Sequence, residues 1–86
     1  MKSVMIPNIF WDGEYWCIFR GENLRKVQSL LSYSDGSVPN LIVEIKETEE
    51  VESGIQELFE THDWIHRILV KSGDRLIGVW TRKSNE

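Results

Sequence analysis

His62 and His66 are the residues whose spacing comes closest to a metal site. They are four positions apart, which would place two imidazole rings on one side of a helix. However, the pattern predicts that the helix ends at His62 and that a strand begins near Ile65, which separates the rings. A third ligand and a glutamate positioned as a catalytic base are both lacking. We therefore expect neither a metal ion nor any other cofactor.

Cys17 is the one candidate nucleophile with a thiol, and a single cysteine excludes an internal disulfide or a zinc site built from cysteines. It lies in an apolar segment without cationic neighbours in sequence, so we expect a buried and unreactive thiol. The serines form no Gly-x-Ser-x-Gly motif, and the glycines are scattered rather than grouped into a phosphate-binding loop. The chain is therefore not expected to be an enzyme.

The segment from Ile9 to Phe19 combines aromatic residues with a turn. Asp12-Gly13 suits the positive φ angles of a type I′ turn, and this predicts a hairpin with Trp11 opposite Glu14. Alternation along the strands then gives two apolar faces: Ile9, Trp11, Trp16 and Ile18 on one, and Phe10, Tyr15, Cys17 and Phe19 on the other. One face suffices for a core, so we expect the other to contact a partner. The alternative is that Trp11 and Trp16 fill the core while the N-terminal segment covers Phe10 and Tyr15.

The remaining elements must position this hairpin. Asn23 is a good N-cap for a first helix, and a second helix is expected to open at Thr48 and to end at His62-Asp63. Gly54 within it costs about 1 kcal/mol relative to alanine, so we expect close packing there. Strands are expected at 40–46, 65–71 and 75–82, with an extended piece at 3–6 and a loop at 34–37.

These elements predict one α+β domain spanning residues 1–86, with the element order ββαβαββ. We expect two layers: a mostly antiparallel sheet of about five strands, with both helices on one face. The single cysteine is compatible with a reducing compartment, and we expect neither a signal peptide nor a membrane span. The predicted location is therefore the cytoplasm.

Charge is sorted along the chain, although the net charge is only −4. The stretch from Glu44 to Asp63 contains eight acidic residues and one lysine, whereas that from Ile65 to Lys83 contains five basic residues and one aspartate. Such segments are usually solvated faces that oppose aggregation. They can also serve as binding surfaces for a partner, or for the unlike patch of a second copy.

We therefore expect a non-enzymatic interaction module (a regulator, adaptor or inhibitor) that binds a protein partner or itself. The candidate partner-binding residues are Trp11, Tyr15 and Trp16 of the hairpin and Glu49, Glu50 and Glu52 of the acidic helix. A first alternative is single-stranded nucleic-acid binding by the C-terminal hairpin, through Arg67, Lys71, Arg75, Trp80, Arg82 and Lys83. A second is sensing or sequestration of a small ligand at an oligomer interface.

Overall fold

The computed structural model describes residues 8–32, 36 and 38–82. These residues form five strands and two helices in the expected order ββαβαββ. The elements are β1 (Asn8–Trp11), β2 (Glu14–Arg20), α1 (Leu24–Leu31), β3 (Asn40–Glu44), α2 (Val51–Thr61), β4 (Arg67–Ser72) and β5 (Arg75–Thr81). The extended piece expected at 3–6 lies outside the described residues, as does most of the loop expected at 34–37.

The strands make one sheet in the order β1-β2-β3-β4-β5. Its outer pairs, β1-β2 and β4-β5, are antiparallel hairpins, whereas β2-β3 and β3-β4 are parallel. The prediction of a mostly antiparallel sheet is therefore wrong, and the sheet is mixed. The reason is connectivity: each helix returns the chain to the end of the sheet where the previous strand began, so the next strand runs in the same direction.

The core lies between the two helices and one face of the sheet, which we call the helix-covered face. Its buried apolar residues are Phe19, Leu41, Val43, Ile68 and Val70 from the strands and Val27, Leu31, Ile55 and Leu58 from the helices. Gly54 lies where the helices meet, because a Cβ atom there would lie 2.6 Å from Cδ1 of Leu24. The close packing expected at this glycine is present. We call the opposite side of the sheet the open face.

The two helices differ in how well their starts were predicted. α1 begins as expected, with the Asn23 side chain accepting a hydrogen bond from the Lys26 backbone N–H at 3.1 Å. α2 begins at Val51, not at Thr48, after Glu50 adopts a left-handed φ of 57°. The run of glutamates indicated a region that the helix dipole favours, but such a run does not determine which residue becomes the cap.

Candidate functional site

The N-terminal hairpin has the register that the sequence predicts. Trp11 pairs with Glu14, Phe10 with Tyr15, and Ile9 with Trp16. The connecting residues have positive φ angles, 54° at Asp12 and 80° at Gly13, as a type I′ turn requires. Glycine adopts such angles without strain, and aspartate tolerates them better than most residues. The turn chemistry therefore determines which side chains share a face.

The hairpin face that carries Cys17 and Phe19 packs against the core, and both residues are buried beneath the helices. The alternative that Trp11 and Trp16 fill the core beneath the helices is wrong, because both side chains lie on the open face. The sequence did not distinguish the two faces, since each alternates in the same way and each is apolar. Only the positions of the two helices decide between them.

Four apolar residues at the turn end of the hairpin remain exposed, and we call them the aromatic tip. Their exposed fractions are 39% for Ile9, 61% for Phe10, 50% for Trp11 and 60% for Tyr15. Phe10 and Tyr15 lie edge to face, with ring centroids 4.9 Å apart. They point to the helix-covered side but remain uncovered there. Ile9 and Trp11 are exposed on the open face of the same hairpin, so the tip exposes large apolar side chains on both of its faces. Exposed aromatic side chains of this kind are typical of an interaction surface.

Trp16 supports the aromatic tip from within. The sequence predicted it as a partner-binding residue, yet only 2% of it is exposed. Its indole Nε1 donates a hydrogen bond to the Trp11 carbonyl at 3.1 Å, and the two rings are 5.3 Å apart. The Arg67 guanidinium lies 6.0 Å from the Trp16 ring centroid. Trp16 therefore holds Trp11 in place from beneath, and Trp11 is the one of the two that is exposed.

A polar network beside Trp16 ties the turn to the centre of the sheet. Glu14 forms an ion pair with Arg67 at 2.6 Å and accepts a hydrogen bond from the Asn40 amide nitrogen at 3.2 Å. The same nitrogen donates to the Tyr15 carbonyl at 3.1 Å, while Oδ1 of Asn40 is buried without a hydrogen-bond partner. Neither Asn40 nor Glu14 was among the binding residues predicted from the sequence. For Asn40, the sequence signal was a polar residue at the first position of an otherwise apolar strand, 40–44.

The acidic residues of the predicted binding set lie far from the aromatic tip. Glu49 and Glu50 line a cleft of about 360 Å³ between α1 and α2. This cleft lies where β2 and β3 end, whereas the aromatic tip lies where β2 begins. The seven residues of β2 span about 23 Å at roughly 3.3 Å per residue. Hairpin and acidic residues, including Glu52 in the first turn of α2, therefore form separate surfaces.

The basic residues predicted for nucleic-acid binding are also divided. Arg67 and Lys71 lie at opposite ends of β4 on the open face, and Arg67 is paired with Glu14. Trp80 lies on the helix-covered face, with its ring over Gly78. Arg75 begins β5 at the other end of that strand. Lys83 lies outside the described residues. The described members of this set do not share one surface.

Arg82 has a structural role that the sequence did not reveal. Its Nε donates to the Ile65 carbonyl at 2.7 Å, and its Nη2 donates to the carbonyls of Phe59 and His62 at 2.8 and 2.7 Å. The guanidinium also lies 5.0 Å from the Phe59 ring centroid. These carbonyls belong to the last turn of α2 and the loop after it, so Arg82 caps that helix end.

The residues considered first for chemistry are not grouped into a reactive site. Cys17 is buried, and its Sγ donates to the Asn8 side chain at 3.0 Å. His62 is the C-cap of α2 and contacts Trp64, whereas His66 is exposed before β4. Among residues 8–32, 36 and 38–82, no three His, Cys, Asp or Glu side chains are grouped as a metal site would need.

A comparison with protein-family models finds no matching family, and comparisons with curated proteins and with solved structures find no significant match to this chain. Neither of the two described helices has the length and apolar run needed to cross a membrane.

Proposed function

We propose that this chain is a small cytoplasmic interaction module, a regulator, adaptor or inhibitor, that binds a protein through its aromatic tip. The observation that carries the proposal is the exposure of Phe10, Trp11 and Tyr15, each at least half uncovered on adjacent strands. Tyrosine and tryptophan are the residues most often found as energetic hot spots in protein interfaces. Nothing else on the described surface combines large rings with such exposure.

The contacts beneath the aromatic tip favour binding because they already hold its side chains in place before a partner arrives. Trp16 is buried against Trp11, and the Glu14–Arg67 ion pair connects the turn to β4. A surface that already has its bound shape loses less conformational entropy on association. We expect the rings to supply affinity, and the charged residues beside them, Asp12 and Arg67, to orient the encounter.

The mechanism that follows is occlusion. The chain would act by covering a surface of its partner with the aromatic tip. The acidic cleft between the helices is not needed for this contact, because it lies at the other end of the sheet. A partner that reached both surfaces would have to extend along the length of β2.

A photo-crosslinker tests this proposal. Tyr15→p-benzoyl-phenylalanine places a reactive ring within the aromatic tip, where Tyr15 is 60% exposed. The matched control is the same replacement at Leu76, which is 58% exposed on β5 at the far edge of the sheet. Each variant is irradiated in an extract of the native host, and adducts are identified by mass spectrometry.

We expect a discrete protein adduct from position 15 and none from position 76. Equal labelling at the two positions would show that exposure alone decides the reaction, and the proposal would then fail. Absence of any protein adduct at position 15 would overturn it as well. Adding Trp11→Ala to the Tyr15 variant should reduce the adduct at least about tenfold, since hot-spot truncations cost 2 kcal/mol or more.

A further inference from the structure

β1 is an edge of the sheet that lacks the usual protection. All four of its residues are exposed, none is charged, and they pair with β2 without interruption. Natural edge strands are commonly guarded by charged side chains, prolines or bulges that prevent pairing with another chain. Within the described strand, β1 has none of these features. Among the described strands, none pairs with the outer edge of β1.

β5, the opposite edge, is guarded. It begins with a charged residue, Arg75, and its pairing with β4 shifts register between Val70 and Lys71. Such an irregularity bends the strand and breaks the regular row of backbone groups. In addition, the Trp80 ring lies over Gly78 on the same strand. The two edges differ, and β1 is the one that could accept a partner.

The register shows which backbone groups of β1 face outward. Opposed residues in an antiparallel pair alternate between hydrogen-bonded and non-bonded positions. Trp11 and Glu14 close the two-residue turn as a bonded pair, so Phe10 and Tyr15 form a non-bonded pair. The N–H and C=O groups of Phe10, and by the same alternation those of Asn8, therefore point away from β2.

We propose that β1 pairs antiparallel with β1 of a second copy of this chain, about a twofold axis at Ile9. This inference rests on the proposed function and names the partner of the same surface. The axis places Asn8 of each copy opposite Phe10 of the other, and each such pair can exchange both backbone hydrogen bonds. On the open face, Ile9 lies opposite Ile9 of the second copy, with Trp11 as the diagonal neighbour.

Self-complementarity favours a second copy over an unrelated strand. The twofold axis places Ile9 opposite its own equivalent, so a charge at this position would face a like charge. β1 has the uncharged sequence Asn-Ile-Phe-Trp, so pairing about this axis brings no like charges together. Both of its faces are apolar, so pairing buries the side chains of Ile9, Phe10 and Trp11 together. The two sheets then form one continuous sheet.

A disulfide tests the register. Ile9→Cys would place two thiols in a non-bonded antiparallel pair, where Cα atoms are about 4.5 Å apart. This separation lies within the range that disulfides span. The matched control is Val79→Cys, which places a cysteine on β5 at a position that is 52% exposed. Cys17 is buried and stays in place in both variants.

Under mild oxidation we expect a covalent dimer of twice 10.1 kDa from Ile9→Cys, while Val79→Cys and the unchanged chain stay at 10.1 kDa. Equal dimerisation of both variants would reflect random collision and would overturn the proposal, and so would a failure of Ile9→Cys to cross-link.

Sedimentation equilibrium provides a test that does not depend on cysteine chemistry. The unchanged chain should show a mass that rises toward a dimer with concentration, and Ile9→Lys should stay monomeric because it opposes like charges at the axis. Val79→Lys should dimerise like the unchanged chain. Circular dichroism verifies that both lysine variants fold. A monomer at every concentration would overturn the self-pairing.

The two proposals fail in distinguishable ways. If the chain is monomeric but the crosslinker at Tyr15 captures a different protein, the self-pairing is wrong and the proposed function stands. If the captured protein is a second copy, both are supported. If the chain is monomeric and position 15 captures nothing, both fail.

Discussion

Two residues that the sequence predicted as binding residues, Trp16 and Arg82, instead stabilise the fold. Trp16 is buried behind Trp11, and Arg82 binds three carbonyls that lie 17 to 23 positions earlier in the chain. Neither role follows from local pattern. An arginine after an edge strand is normally exposed, and alternation alone does not show which apolar face of a hairpin is covered, so only the tertiary contacts reveal both roles. By contrast, Trp11 and Tyr15 are exposed at the surface, as a binding role requires.

Arg82 should matter more for stability than any exposed arginine. Arg82→Ala leaves the carbonyls of Phe59, His62 and Ile65 without this donor, so we expect the free energy of unfolding to fall by about 2 kcal/mol. Urea denaturation followed by circular dichroism measures it. Arg75→Ala, at an exposed position, should change the value by less than about 0.5 kcal/mol. Similar losses for the two variants would contradict the capping role.

The side chain at position 40 must be an amide, because its nitrogen donates hydrogen bonds to Glu14 and to the Tyr15 carbonyl. Asn40→Asp would direct a carboxylate at the Tyr15 carbonyl and at Glu14, with no hydrogen to donate, and burial would increase the cost. We expect a loss of about 3 kcal/mol or more in the free energy of unfolding. The same change at Asn23, a half-buried N-cap, keeps the acceptor for the Lys26 backbone N–H and loses only the donor to Glu47 Oε1, so it should cost about 1 kcal/mol. Thermal unfolding of the two variants decides this comparison.

At the scale of elements, the turn and the start of α1 were predicted correctly from local residues, whereas the direction of strand pairing was not. Asp12-Gly13 determines the turn, and the register of Ile9, Phe10 and Trp11 follows from it. Asn23 in the same way marks the start of α1. The parallel pairing of β2 with β3 and of β3 with β4 depends on how the helices cross over, and no residue pattern within the strands specifies it. This is why the sheet was predicted as mostly antiparallel.

The edge strand β5 should show energetic coupling between Gly78 and Trp80. A Cβ atom at position 78 would lie 2.8 Å from Cη2 of Trp80, so Gly78→Ala should cost about 1 kcal/mol in the unchanged chain. In a Trp80→Val background, the same change should stabilise by about 0.5 kcal/mol, because alanine suits a strand better than glycine. A double-mutant cycle by urea denaturation measures the difference. Additive effects would mean that the ring does not lie over Gly78 in solution.

At the scale of the whole molecule, the helices cover one side of the sheet and leave the other open. A shallow depression of about 280 Å³ on the open face is lined by Ile9, Trp11, Ile18, Ile42 and Leu69, with Arg20, Glu44 and Lys71 along one side. The sequence predicted both helices on one face and could not tell which hairpin face they cover. The open face therefore adjoins the aromatic tip and extends the apolar surface beyond it.

Neighbouring positions on β4 test this two-sided arrangement. Ile68 is fully buried on the helix-covered face, whereas Leu69 lies on the open face and is only partly covered. We expect Ile68→Ala to lower the free energy of unfolding by about 3 kcal/mol and Leu69→Ala by about 1 kcal/mol. Chemical denaturation of the two variants gives the ratio. Equal losses would indicate that something covers the open face in solution.

The mixed order of the strands has a kinetic consequence. Trp16 is paired with Asn40, and Asn40 with Arg67, so the central pairs join residues 24 and 27 positions apart. The outer hairpins join residues 3 to 14 positions apart and start from a two-residue turn, so they need no such long loop closure. Because distant pairings form slowly, the hairpins can assemble before the middle of the sheet closes. During that interval a nascent chain already presents β1, so association and folding compete for the same strand, and slow dilution should give better refolding yields than rapid refolding at high concentration.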